Sequence, residues 1–156
     1  MKSILHELSW DYTLKWFKNI FSKSDDVLQE AAPEMIIAVD FDGTCVKDKF
    51  PDVGPSMPGA VQTLHALINR GHKIILWTCR ENIDEDKQYL DHAVEWFEEN
   101  NIELYGVNET PLEDDFRSSG GRKVFAHIYI DDRSFGGFPG WHKIHQEITG
   151  MPLVSF

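Results

Sequence analysis

Four short apolar runs rich in β-branched residues recur along the chain, separated by stretches with helical spacing. Met35-Ile-Ile-Ala-Val39 is the first, with no polar interruption. Such a run suits a strand buried on both faces. Lys73-Ile-Ile-Leu-Trp77, Ile102 to Val107 and His127-Ile-Tyr-Ile130 follow as the second, third and fourth strands. Between the first two, Ala60, Val61, Leu64, Leu67 and Ile68 fall on one helical face, and Gly71 follows as a stop. A second helix is expected from Asp84 to Asn100, with Tyr89, Ala93, Trp96 and Phe97 inward. A third runs from Trp141 to Thr149 and ends at Gly150. Strands alternating with helices predict an α/β fold, a Rossmann-like parallel sheet with helices on both faces.

Residues 1–30 have a different character. Ile4, Leu5, Leu8, Leu14, Trp16, Phe17, Ile20 and Phe21 recur at helical spacing with Lys15, Lys18 and Lys23 between them, which predicts N-terminal amphipathic helices. Ser22 to Pro33 has the composition of a linker. The expected organisation is therefore a helical extension and linker over 1–32 and one catalytic domain over 33–156. The apolar face of the extension is expected to cover the domain or a second subunit, as in a homo-oligomer. A lipid surface is the less favoured partner, because Glu7, Asp11 and the acidic chain oppose it.

The 156 residues, 42% of them hydrophobic, suffice for one domain with a true core. No run of about 18 apolar residues occurs, so no transmembrane segment is expected. The formal net charge of −11 disfavours general binding of nucleic acid. The 2 cysteines, Cys45 and Cys79, cannot form a disulfide framework; they are read as small, buried, reduced side chains in a cytoplasmic protein.

In parallel sheets of this kind a site forms beyond the carboxyl ends of the strands. Asp40-Phe-Asp-Gly-Thr44 follows the first strand, Thr78-Cys-Arg80 the second and Asp131-Asp-Arg133 the fourth; Lys123 precedes the fourth in Gly120-Gly-Arg-Lys123. The carboxylates of Asp40, Asp42, Asp131 and Asp132 gathered at one edge repel one another unless a cation relieves them. An all-oxygen donor set favours Mg²⁺ over Zn²⁺. Two carboxylates at alternate residues allow one to attack while the other moves protons. Gly43 permits a sharp turn with backbone N–H groups open to an anion. Thr78 can donate to a phosphoryl oxygen and Lys123 can balance charge. Arg80 and Arg133 have two roles open to them, substrate contact or ion pairs with nearby acids. His142 and His145, without partner ligands in the sequence, are read as solvated.

The ordered set resembles the haloacid dehalogenase (HAD) superfamily: Asp40-Phe-Asp-Gly-Thr44 is similar to its first motif, Thr78 to the second, Lys123 to the third and Asp131-Asp132 to the fourth. Trp77-Thr-Cys-Arg80 and Ile130-Asp-Asp-Arg133, followed by Gly136-Gly137, resemble small capless members from bacteria and phages. The resemblance covers about residues 35–145. It implies a Mg²⁺-dependent phosphatase acting on a small phosphorylated substrate. Asp40 would be nucleophile and metal ligand, and Asp42 general acid/base with its carbonyl on the metal. Gly43, Thr44, Thr78, Arg80 and Lys123 would lie around the phosphoryl group, and Asp132, with Asp131 beside it, would complete the metal site. Only about Cys45 to Met57, and the loop Asn108 to Gly121, could partly cover so open a site. The competing reading is a phospho-accepting or regulatory binding protein without turnover. A receiver domain places its acidic pair after the first strand and its Lys last, an order this chain does not have.

Overall fold

The computed structural model describes residues 33–111 and 123–153. The expected N-terminal helices, Gly120 to Arg122 and most of the Asn108–Gly121 loop lie outside the described residues. Four strands form one parallel sheet: β1 (Ile36–Val39), β2 (Lys73–Leu76), β3 (Gly106–Val107) and β4 (Ile128–Ile130), in the order β3-β2-β1-β4. The register pairs Val39 with Leu76 on one side and with Ile130 on the other, so the three strands end level. The chain steps outward from β1 to β3, then returns to place β4 on the far side of β1. The order of strands therefore reverses between β1 and β4, and a crevice opens above their carboxyl ends.

Among the described residues three helices accompany the sheet: α1 (Ala60–Ile68), α2 (Tyr89–Glu99) and α3 (Trp141–Thr149). Alternation along the strands separates two faces. Ile37, Val39, Ile74 and Leu76 join Leu64 and Leu67 of α1, Ala93, Trp96 and Phe97 of α2, and Trp141, Ile144 and Ile148 of α3 in one buried cluster. Ile36, Ala38 and Ile75 face the other way and pack with Val124, flanked by Trp77, Tyr105, Phe125 and Tyr129. All three described helices thus contribute to one face. The other is covered, among the described residues, by the 124–126 segment and aromatic side chains.

Two elements differ from expectation. The second helix starts at Tyr89 rather than Asp84, because Asn82 Oδ1 accepts the N–H groups of both Leu90 and Asp91. That side chain, from outside the helix, satisfies donors that open its first turn. The third strand shrinks to Gly106–Val107, which alone pair with β2 in regular register; Ile102 is buried in the helix-side core without being in the strand. Among the described residues no helix is long and apolar enough to cross a membrane.

Candidate active site

Phe41 anchors the site. It stands between two aspartates, is fully buried, and packs against Trp96 at 5.7 Å between ring centroids and Phe97 at 6.1 Å. Burying an aromatic of this size contributes roughly 1.5–3 kcal/mol. Its carbonyl accepts from the N–H groups of Thr44, Cys45 and Val46, which curls the chain into a tight turn immediately after β1. Asp40 remains in register with the sheet through its N–H to the Ile130 carbonyl, 2.9 Å.

Gly43 lies in this turn at φ +83°, and a Cβ there would stand 2.4 Å from Asp132 Oδ2. Both the backbone conformation and the approach of the Asp132 carboxylate require glycine. The N–H groups of Gly43 and Thr44 are not open to an anion as expected: Gly43 donates to the Val46 carbonyl at 2.8 Å and Thr44 to that of Phe41 at 3.3 Å. The turn is too tight to spare them. The Thr44 side chain serves the site instead. Its fully buried hydroxyl donates to Asp40 Oδ2 at 3.1 Å and accepts from the Asp132 N–H at 3.0 Å, tying the ends of β1 and β4 together. Its carbonyl is held by the Trp141 indole N–H at 2.7 Å.

Asp40, Asp131 and Asp132 converge at the β1/β4 crevice, each offering a carboxylate oxygen within 4.8 Å of the others. Asp131 is oriented by the Arg133 N–H on its Oδ1, 2.7 Å. Asp132 Oδ1 is buried and has no hydrogen-bond partner among the described residues. A buried carboxylate oxygen without a donor is costly, and a cation is the group that would satisfy it. The residues present therefore fit a hard divalent cation bound by oxygens. Burial pushes the Asp40 carboxyl up from 3.8 to about 6. The Phe41 N–H and Thr44 hydroxyl oppose that rise, and the charges of Asp131 and Asp132 add to it.

Asp42 is not in this group of three. Its two oxygens are held by Arg80, from Nε to Oδ2 and from Nη2 to Oδ1, each at 2.7 Å. Of the two roles open to Arg80, the structure shows the ion pair. Thr78, beyond β2, takes the Arg80 N–H on its hydroxyl oxygen at 3.2 Å and gives its own N–H to Asn108 Oδ1 at 2.8 Å. The sequence reading missed Asn108. It follows β3 directly and has φ +53°, a conformation that asparagine tolerates better than most residues. An asparagine closing a strand was the available signal. Lys123 is exposed, with its ammonium 4.4 Å from the Tyr129 ring centroid.

Two other expectations change. His145 is buried rather than solvated, its ring Nδ1 lying 2.9 Å from the Met151 carbonyl, whereas His142 is exposed. Cys79 is exposed; only Cys45 is buried. Burial, with Asp40 and Asp42 nearby, pushes the Cys45 thiol well above its ordinary range.

No protein-family model matches the chain. Over 84 residues it is 36% identical to polynucleotide 3'-phosphatase ZDP of Arabidopsis thaliana; the match takes in 49% of this chain and spans 11% of that protein's length. The solved structure of a conserved protein from Bacteroides thetaiotaomicron superposes with a TM-score of 0.65 at 40% identity, covering 76% of this chain and 92% of that one. At this identity and coverage, the chain belongs to the same family as that conserved Bacteroides protein.

Proposed function

We propose that the chain is a Mg²⁺-dependent phosphatase that hydrolyses phosphate monoesters through an aspartyl-phosphate on Asp40. The carrying observation is the convergence of Asp40, Asp131 and Asp132 at the crevice, with the Asp132 Oδ1 buried and unpartnered among the described residues. Similarity over 84 residues to a protein named as a phosphatase supports the phosphatase part of this reading. Asp40, Asp131 and Asp132 would hold the cation, with the Asp42 backbone carbonyl as a further ligand. When bound, the cation supplies charge neutralisation for the carboxylates and the phosphoryl oxygens.

In this reading Asp40, steadied by the Thr44 hydroxyl, uses a carboxylate oxygen to attack phosphorus. The ester P–O bond breaks as the new bond forms, and Asp42, entering this step in its protonated form, gives that proton to the leaving oxygen. Water then attacks the same phosphorus and passes a proton to Asp42. The bond between phosphorus and Asp40 breaks, orthophosphate leaves and both aspartates return to their starting forms. Thr78 and Lys123 stabilise the transferring group, and Asn108, through the Thr78 N–H, fixes where Thr78 stands.

The substrate reading is a small phosphate monoester, which suits a chain of net charge −11 better than a long polyanion does. A second reading, the phosphorylated end of a polynucleotide, is favoured by the ZDP similarity. Both are tested with purified protein: multiple turnover of p-nitrophenyl phosphate in Mg²⁺, loss on EDTA addition, and no turnover by Asp40→Asn. A 3'-phosphorylated oligonucleotide assayed beside small phosphorylated metabolites separates the two substrates. Full activity in a metal-free preparation would overturn the cation-dependent mechanism.

A further inference from the structure

Arg80 is the one Lys or Arg that is buried among the described residues, 2% exposed, although it stands at the open end of the sheet. A guanidinium has five N–H donors and no acceptor. Here each donor is accounted for. Nε and one Nη2 proton go to the two oxygens of Asp42, and the other Nη2 proton to the Asp52 carbonyl at 2.8 Å. Nη1 reaches the carbonyls of Pro51 at 3.1 Å and Tyr89 at 3.4 Å. The rings of Phe41 and Phe50 flank the group at 5.1 and 5.3 Å. A guanidinium committed in this way has no N–H left for a phosphoryl oxygen.

What it does instead is remove the freedom of one carboxylate. A free aspartate turns about two side-chain torsions, and a two-point hold from a planar fork stops both. Proton transfer requires that carboxylate within hydrogen-bond reach of the atom it serves, in a fixed orientation. The same guanidinium grips the backbone at 51 and 52, in the segment that leads from the first motif to α1, and at Tyr89, the first residue of α2. Three parts of the chain meet on a cation whose one side-chain acceptor among the described residues is Asp42.

We infer that Arg80 is a positioning residue: it touches no substrate and acts on the reaction by orienting the Asp42 carboxylate. The inference rests on the phosphatase reading, which gives Asp42 its proton-transfer role. An ammonium cannot reproduce the fork, so Arg80→Lys keeps a charge and loses the geometry. A poor leaving group, an alkyl phosphate, depends on the Asp42 proton; p-nitrophenolate does so far less.

The test is a kinetic cycle of the unmodified chain, Arg80→Lys, Asp42→Asn and the double variant, on both esters with Mg²⁺. Arg80→Lys should lower kcat for the alkyl ester about a hundredfold, a typical size for general acid–base help, and lower it clearly less for p-nitrophenyl phosphate. KM should change little, and the Asp42→Asn background should show no added loss. Equal losses on both esters, a raised KM with kcat kept, or additive losses in the double variant would overturn the inference.

Because Arg80→Lys can fail to fold, a second measurement uses the unmodified chain. The Arg80 Nε–H resonance should exchange slowly with water and lose that protection in Asp42→Asn. Rapid exchange in an active enzyme would refute the clamp alone. A protected resonance in a chain that turns over no phosphate ester would refute the phosphatase reading and, with it, the role of Arg80.

Discussion

Binding of Mg²⁺ near pH 6 should expel protons, because Asp40 is only partly ionised there. Burial pushes that carboxyl up to about 6, beside Asp131 and Asp132. A cation bound by carboxylates requires their ionised forms, so a group at its midpoint releases about half a proton per site, whereas near pH 8 the release falls to about one-hundredth. A raised folded-state value also means that the folded metal-free chain binds this proton more tightly than the unfolded chain. Asp40's contribution to stability is therefore fully present below about pH 4 and is lost as pH rises through about 6. Mg²⁺ should consequently stabilise the fold more at neutral than at acid pH. Titration calorimetry near pH 6 and pH 8, in buffers of unlike ionisation heat, measures the proton count directly. Equal release at both pH values, or undiminished release from Asp40→Asn, would refute the assignment of the proton to this carboxyl.

Gly43→Ala would force a Cβ to 2.4 Å from Asp132 Oδ2 at φ +83°, so it should destabilise the fold by about 1–3 kcal/mol and weaken the Mg²⁺ response, read by thermal melts with and without the ion. Thr44→Val should cost about 1–3 kcal/mol in denaturant melts, because it leaves the Asp132 N–H without its acceptor and removes the hydroxyl donor from Asp40 Oδ2. Thr78→Val and Lys123→Ala should each lower kcat on the order of a hundredfold while Arg122→Ala stays mild; an essential Arg122 beside a dispensable Lys123 would move the third motif by one residue.

Local pattern determined much of this molecule. Ile36 to Val39 is apolar at every position because β1 is central and covered on both faces, and that signature is visible without coordinates. The same holds for α3, whose Trp141, Ile144 and Ile148 repeat at helical spacing and whose end at Gly150 adopts φ +70°. The grouping of Asp40 with Asp131 and Asp132 was legible too, since parallel strands deliver their following residues to one edge. Long-range partners were not legible. Nothing adjacent in sequence marks Asn82 as the residue that starts α2, and the place of Asn108 at a strand end does not by itself name the Thr78 N–H as its partner, because each acts across a gap set by packing. The openness of the Gly43 turn was misjudged because its N–H groups turn inward onto Val46 and Phe41. Arg80 shows the division most plainly. Sequence placed a cation at the mouth of the site and left two roles open. Only the fold, by bringing Asp42 and the carbonyls of Pro51, Asp52 and Tyr89 around it, decided how its five donors are spent, since the direction of a long side chain is set by the acceptors that surround it.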